Sequence, residues 1–321
     1  MMIPALYLAP MEEVTGYTFR NTISKVFGGV DKYFTPFITP NQNKLLKTKE
    51  GRELVPAHNE GLKVVPQLLS GNGRDIVDIL PYIRELGYDE VNLNFGCPSG
   101  TVVKKYKGSG ILRDTERLEE LLDAVFAYEA HGTISVKTRL AYDNPEEFEG
   151  ILAIYNKYPI SELIIHARVG TDMYKGNVRM EDFLYAYDNT KLRLCYNGDI
   201  SNIRDYKNIT EKCPNVNIMI GRGAVRDPGI FRNIRNGGVT TAEELFRFHT
   251  ELGDSYCRDF GTNNALFKMK EVWNYMSDNF RNIDKELKII RKTKSYEEYN
   301  CAAERIFKYG EWCCYGDEEE L

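Results

Sequence analysis

Eight short runs of β-branched and aromatic residues recur through the first three quarters of the chain, most of them followed by a stretch that favours helix. The runs are Leu6–Ala9, Tyr33–Phe37, Val64–Leu68, Glu90–Leu93, Ile134–Thr138, Leu163–His166, Leu192–Tyr196 and Asn217–Ile220. Asp75–Glu85, Thr115–Ala130, Pro145–Lys157 and Asn202–Glu211 are amphipathic or helix-favouring. Near-continuous apolar strands alternating with helices imply a parallel sheet covered on its outside, because such strands have no polar face to turn to water. Eight units in roughly 235 residues suit a (β/α)8 TIM barrel, which takes about 250. A doubly wound sheet fits less well, since polar residues gather at the carboxyl ends of almost every strand and not at one switch point.

After about Thr240 the strand signals stop. Thr241–Gly253, Ala265–Asn279, Asn282–Lys294 and Tyr296–Phe307 read as helices, and Thr241 with Glu244 has the spacing of a capping box. The expected organisation is a catalytic barrel over residues 1–240 and an all-α domain over 241–321. No segment approaches the ~20 apolar residues of a membrane span. The apolar start of the chain reads as a first strand and not a signal peptide. The seven cysteines include no CxxC pair, which suits reduced thiols in a cytoplasmic protein. Four scattered histidines offer no ligand-spaced cluster, so no metal is expected. A net charge of −5 argues against a general nucleic-acid coat but can hide a patch. Arg281–Lys294 holds six basic and two acidic residues. Read as helix, it sets Arg281, Lys285, Lys288 and Lys292 in one stripe; taken alone, an ordinary solvated face is the better reading. Asp317–Glu320 reads as a disordered tail.

One strand end stands apart. Val91–Leu112 runs from a buried strand straight into Gly96-Cys97-Pro98, then into a long, mobile loop rich in Gly, Ser and Lys. It puts one thiol where α/β folds carry their chemistry. General acid, nucleophile and bystander are all open to it. The other strand ends offer Pro10-Met11, Gln67, Asn94, Lys137, Arg139, His166, Arg168, Asn197-Gly198-Asp199 and Gly221-Arg222-Gly223. Barrels commonly bind phosphate on the loops after strands 7 and 8, and the last two groups pair backbone-exposing glycines with an arginine. A phosphate-bearing cofactor is therefore expected. Gln67 and Lys137 point to a planar ring, met by an amide and by a cation at its electron-accepting edge, as a flavin would be. Singly, each has a bland explanation, such as a solvated barrel-mouth lysine or a core histidine bonded to a carbonyl; together, at consecutive strand ends, the functional reading is favoured.

Here the chain resembles a family. Ala9-Pro10-Met11 with Val14-Thr15 and Phe19-Arg20, Gln67-Leu68, Leu93-Asn94-Phe95-Gly96-Cys97-Pro98, Val136-Lys137-Thr138-Arg139-Leu140, Ile165-His166-Ala167-Arg168, Asn197-Gly198-Asp199-Ile200 and Gly221-Arg222-Gly223-Ala224 are similar, in order, to the tRNA-dihydrouridine synthases. The resemblance implies an FMN enzyme that uses NADPH, with NADH as a possible substitute, to reduce a tRNA uridine to 5,6-dihydrouridine. It implies FMN on Pro10, Met11, Gln67, Lys137, His166, Asn197, Gly198, Asp199, Gly221 and Arg222. It places the uracil against Asn94, Arg139 and Tyr174, and makes Cys97 the proton donor. The chain departs from the family pattern at Gly16, Asn92, Gly100, Val103 and Val169-Gly170, which bears on how the uracil and its neighbours are oriented.

The chemistry is coherent without the name. A C5=C6 bond conjugated to a carbonyl takes hydride at C6 and then needs a proton at C5, and a thiol of ordinary pKa is mostly protonated at pH 7. Cys195, Cys213, Cys257 and Cys301 read as inert. Transfer RNA is expected to lay its phosphates on the Arg281–Lys294 stripe and on Lys104, Lys105 and Lys107, against a monomeric protein. Two other functions compete. One is an FMN-barrel reductase of free pyrimidines, like dihydroorotate dehydrogenase, which would not need the basic helical domain. The other is a catalytically silent RNA-binding protein, which would not need Cys97, Lys137 and His166 together.

Overall fold

The computed structural model describes residues 4–40 and 48–313, so Cys314 and the acidic stretch 317–320 lie outside the described residues. Parallel strands form at β1 (Leu6–Leu8), β2 (Lys32–Phe34), β3 (Val64–Val65), β4 (Gln67–Leu68), β5 (Glu90–Phe95), β6 (Thr133–Arg139), β7 (Leu163–His166), β8 (Leu194–Asn197) and β9 (Asn217–Ile220). They pair in the order β3-β2-β1-β9-β8-β7-β6-β5-β4. The two ends of that order are halves of one run, Val64–Leu68, divided by Pro66. Proline has no N–H to give a ladder, and the chain changes partner there. Tyr33 and Phe34 pair with Val64 and Val65, while Gln67 and Leu68 pair with Asn92 and Leu93. The sheet closes on itself, and the fold is the expected (β/α)8 barrel.

The helices that follow the strands start where local chemistry allows. The Asn72 side chain accepts from Arg74 N at 2.8 Å to open α3 (Gly73–Glu85). That helix buries Ile76, Ile79, Leu80 and Ile83, one face at helical spacing. Asp114 caps α5 (Thr115–Phe126) in the same way. Short helices α2 (Thr48–Leu54) and α4 (Gly100–Val103) stand in the loops. Along the chain, α6 (Phe148–Tyr155), α7 (Met180–Asn189) and α8 (Ile203–Lys212) follow.

Inside the barrel, Tyr7, Ala9, Phe34, Val65, Ile164, Cys195 and Met219 pack into one apolar cluster. At the amino ends of the strands lies a charged floor that the sequence reading did not anticipate. Lys32 Nζ lies 2.9 Å from Glu90 and 3.4 Å from Glu162. Tyr7 Oη donates to Glu162 at 3.0 Å, as does Asn217 Nδ2 at 2.6 Å. Burial works against the Lys32 charge, but the two carboxylates outweigh it and its pKa is raised.

The chain divides into two compact units. The first is Met1–Pro10, Lys32–Gly198 and Lys212–Met219; the second is Met11–Asp31, Asp199–Glu211 and Ile220–Leu321. Besides the C-terminal helices, the second unit takes in α1 (Tyr17–Val26) and the segment with α9 (Arg222–Arg226) and α10 (Ile230–Asn236). Side-chain chemistry explains the grouping of α1. Its apolar face meets α11 (Ala242–Phe260) through the Phe19–Phe248 edge-to-face pair, Thr18 donates to Asp259 at 2.5 Å, and Lys25 pairs with Glu251. The expected capping box is present, with Thr241 Oγ1 accepting from Glu244 N and Glu244 accepting from Thr241 N.

Beyond it run α12 (Thr262–Met276), α13 (Asp284–Lys292) and α14 (Tyr296–Tyr309). Strand structure does not stop at residue 240 as expected: β10 (Phe280–Arg281) and β11 (Glu311–Trp312) form a two-stranded ladder. No helix among the described residues is long and apolar enough to cross a membrane. Among the same residues, no group of three or more His, Cys, Asp or Glu side chains is placed to hold a metal.

Candidate active site

The first unit builds its site from adjacent strands. At the end of β5, Asn94 Oδ1 accepts from the backbone N–H groups of Gly96 (3.0 Å) and Cys97 (2.9 Å), a local Asx turn that ends the strand. The carbonyl of Cys97 accepts from Ser109 N at 2.9 Å and Ser109 Oγ at 3.1 Å. Gly108 makes that return possible: its φ is +55°, and a Cβ there would sit 2.4 Å from Cys97 O. Cys97 is in no disulfide and is half-buried.

The segment after Cys97 was expected to be a mobile loop and is instead folded. It forms α4 and a 3₁₀ turn over Gly108–Arg113, with Ile111 and Leu112 buried. Arg113 lies over the rings of Tyr106 and Tyr142, 4.7 Å from each centroid, and donates to Val103 O at 2.7 Å. Apolar residues inside a polar composition explain the difference. Lys104 and Lys105 are exposed on this segment and Lys107 is half-buried.

Lys137 stands in register with Asn94 on one side and Ile164 on the other. It forms no hydrogen bond or ion pair with the described residues. Desolvation, with Arg139 nearby, lowers its pKa to about 8. Arg139 is fully buried and its guanidinium is committed to backbone: Gly96 O at 2.9 Å, Val169 O at 2.8 Å and Met173 O at 2.6 Å. It ties the Cys97 turn to the loop after β7. Arg168 secures the same loop through Lys175 O and Gly176 O, and Asp172 pairs with Arg179 across it.

Arg168 Nη1 also lies 3.2 Å from His166 Nε2. A guanidinium only donates, so Nε2 accepts and the imidazole proton sits on Nδ1. Tyr174, 54% exposed, stacks against His166 at 6.2 Å, with Arg139 5.4 Å from its ring. Asn197 donates to Met219 O at 2.9 Å, and Pro10 and Gly198 are half-buried. Gln67 is placed differently from a ring-facing amide. It has no exposed surface, and both ends of its amide are engaged, by Asn92 and by Asn94.

The other candidates belong to the second unit. Met11 N donates to Thr15 Oγ1 at 2.7 Å. Asp199 and Arg222 form a 2.6 Å ion pair. Both are well exposed, and such a pair contributes at most about 1 kcal/mol. Gly221 precedes α9, and at Gly223 a Cβ would lie 2.1 Å from Ile200 O, so the backbone at Ile200 passes too close for any side chain there.

The basic stripe needs a correction. Lys285, Lys288 and Lys292 are exposed at helical spacing on α13, but Arg281 lies off the helix, in β10. Asn282 adopts a left-handed φ of +60° and interrupts the chain between them. This unit also holds a cavity of about 190 Å³ lined by Asn202, Arg226, Asp227, Asn233 and Trp312 among others; none of the predicted residues lines it.

A parallel (β/α)8 barrel whose carboxyl-end residues include a thiol, an ammonium without a partner among the described residues and an imidazole belongs to the class of barrel enzymes. Comparison with known proteins narrows the class. The family model for dihydrouridine synthase matches residues 7–311, and the chain belongs to that family. A tRNA-dihydrouridine(16) synthase of Pseudomonas putida is 30% identical over 230 residues, 70% of this chain and 71% of that protein. A probable tRNA-dihydrouridine synthase 2 of Bacillus subtilis is 28% identical over 270 residues, 80% of each.

Among solved structures, the old yellow enzyme homologue from Zymomonas mobilis superposes with a TM-score of 0.54 at 12% identity, covering 74% of this chain and 89% of that one. Morphinone reductase in complex with tetrahydroNAD gives 0.51 at 13% identity, covering 74% and 87%. Those two likenesses show the fold alone.

Proposed function

We propose that this chain reduces uridine in tRNA to 5,6-dihydrouridine, with FMN as cofactor and NADPH as electron donor. The family match over residues 7–311 carries the reading. The local fit is chemical. An ammonium with no partner among the described residues, an imidazole with its proton on Nδ1 and the Asn197–Gly198 turn suit a planar, electron-accepting ring. Lys137, His166, Asn197 and Gly198 would hold it. Bound FMN supplies hydride for the C5=C6 bond of the uracil.

The remaining roles belong to this chain. Cys97 holds the proton destined for C5 of the uracil. Its thiol is half-buried and its backbone is pinned at both N–H and C=O, so the proton is presented from one place. Tyr174 offers an exposed aromatic face for the uracil or a neighbouring base. Arg139 holds the Cys97 turn and the Tyr174 loop in one arrangement.

Lys104 and Lys105 on the first unit, and Lys285, Lys288 and Lys292 on the C-terminal helices, are exposed cations for tRNA phosphates. A uridine must leave its stack to be reduced, at a cost of a few kcal/mol, and distributed phosphate contacts offset it.

The test is direct. Protein loaded with FMN and given NADPH should install dihydrouridine in tRNA from a strain lacking this modification. It should leave free uracil and uridine untouched. Absence of dihydrouridine from every tRNA offered, with a protein that binds FMN and oxidises NADPH, would overturn the proposal.

A further inference from the structure

The geometry points to a hydrogen-bond chain through the barrel interior that positions the Cys97 turn, with Glu90, Ser135, Asn92 and Gln67 acting through Asn94. Cys97 N–H donates to Asn94 Oδ1 at 2.9 Å, and Asn94 Nδ2 donates to Gln67 Oε1 at 2.7 Å. Gln67 Nε2 donates to Asn92 Oδ1 at 2.8 Å, and Asn92 Nδ2 to Ser135 Oγ at 3.0 Å. Ser135 Oγ donates to Glu90 Oε1 at 2.9 Å, and Lys32 Nζ donates to both Glu90 oxygens. Every link runs the same way, from the mouth to the charged floor.

The direction is forced at both ends. Backbone N–H groups of Gly96 and Cys97 can only donate. A Glu90 carboxylate paired with Lys32 can only accept. Three amides and one hydroxyl lie between, and only one orientation of each satisfies both neighbours. Gln67, Asn92 and Ser135 have no exposed surface, so water cannot repair a reversed link. A reversed amide would face donor to donor and acceptor to acceptor, which costs about 1–3 kcal/mol per unsatisfied buried group.

Glu90, Asn92 and Asn94 occupy alternate positions of β5 and share its inward face. Branched apolar residues dominate there in barrels of this kind. Gln67 thus acts as a positioning residue beneath Asn94. The use made of the Cys97 thiol rests on the function proposed above, whereas the positioning of its backbone does not.

Hydrogen exchange read by mass spectrometry on the full chain tests this without turnover. Asn92→Leu keeps the number and branching of the side chain's heavy atoms and removes both links. It should speed exchange at Gly96 and Cys97 by about tenfold and change the rate at which iodoacetamide alkylates the Cys97 peptide. The β7 and β8 amides should be unchanged. Asn92→Asp keeps the acceptor that Gln67 needs, and should stay within about threefold of the parent at Gly96 and Cys97.

Equal effects of the two substitutions, or faster exchange spread evenly through the barrel, would overturn the inference. Should Asn92→Leu not fold, Ser135→Ala deletes only a hydroxyl and should still speed exchange at the two amides; no change there refutes the chain. A protein that shows this local pattern but makes no dihydrouridine sinks the proposed reaction and leaves the positioning intact.

Discussion

Replacing Lys137 with methionine should make the cofactor-free protein more stable, even though the lysine is half-buried in the mouth of the barrel. The reason lies in its surroundings. Desolvation and the Arg139 charge bring the Lys137 pKa from its ordinary 10.5 to about 8. Below pH 8 both the folded and the unfolded chain carry the charge, and the shift corresponds to a folded-state cost of about 3 kcal/mol. Between pH 8 and 10.5 the folded chain releases its proton while the unfolded chain keeps it, so the cost fades, to under about 1 kcal/mol near pH 10.

Urea titration of the FMN-free full chain should therefore show Lys137→Met stabilised by about 2–3 kcal/mol at pH 7.5, with most of that advantage gone at pH 10. The same substitution should weaken FMN binding by at least about tenfold, because a site that holds a cation at a cost does so for an anionic or electron-accepting partner. A variant that is less stable at pH 7.5, or whose advantage is the same at both pH values, would refute the reasoning.

Other consequences can be checked separately. Cys97→Ala should bind FMN and oxidise NADPH much as the parent does while slowing uridine reduction by ~10²–10⁴-fold, the usual worth of a positioned acid; single-turnover reduction of tRNA measures it, and a parental rate would move the acid to another group. Changing Lys285, Lys288 and Lys292 together to Glu should flatten the salt dependence of tRNA binding by roughly two to three in log–log slope, measured by filter binding, with NADPH oxidation untouched. Arg281→Glu alone should do less, since it lies off that helical face.

Among the described residues, His249 in the helical core hydrogen-bonds through Nε2 alone, to Tyr299 at 2.6 Å, and burial lowers its pKa to about 3. Its contribution is fully present above the unfolded value of 6.5 and falls as pH drops from there toward 3. From pH 7 to 5 the parent should lose about 2 kcal/mol that His249→Phe does not, seen as diverging urea midpoints.

Much of the fold was legible because the signals were local. Leu163–His166 and Asn217–Ile220 begin and end where their apolar runs do, and the Thr241–Glu244 box caps its helix through neighbours three residues apart. Local composition misled where a polar segment hid an apolar face: residues 98–113 look like a loop but pack Ile111 and Leu112 inward. The stripe failed at one residue, because periodicity cannot reveal that Asn282 turns left-handed.

Of the candidate site, Cys97, Lys137 and His166 were singled out from the sequence alone, and the structure sets them at or near the carboxyl ends of β5, β6 and β7. Ser135 was not singled out for a role in it, and Asn92 was noted only as a departure from the family pattern, although a polar residue at every second position of β5 was a visible anomaly.

Alternation of side chains along a few turns of chain was enough to specify the barrel and the residue types at its strand ends, since neither needs a distant partner. The tertiary structure alone decided which ends those residues serve. The change of partner at Pro66 brings Gln67 beside Asn92, and the β5–β6 pairing brings Asn92 beside Ser135, across 25 and 43 residues of chain. Arg139 reaches 43 residues back to Gly96 and 30 and 34 forward to Val169 and Met173. A hydrogen bond has a direction and needs its partner in place, and no periodicity along the chain encodes what a distant strand will present there.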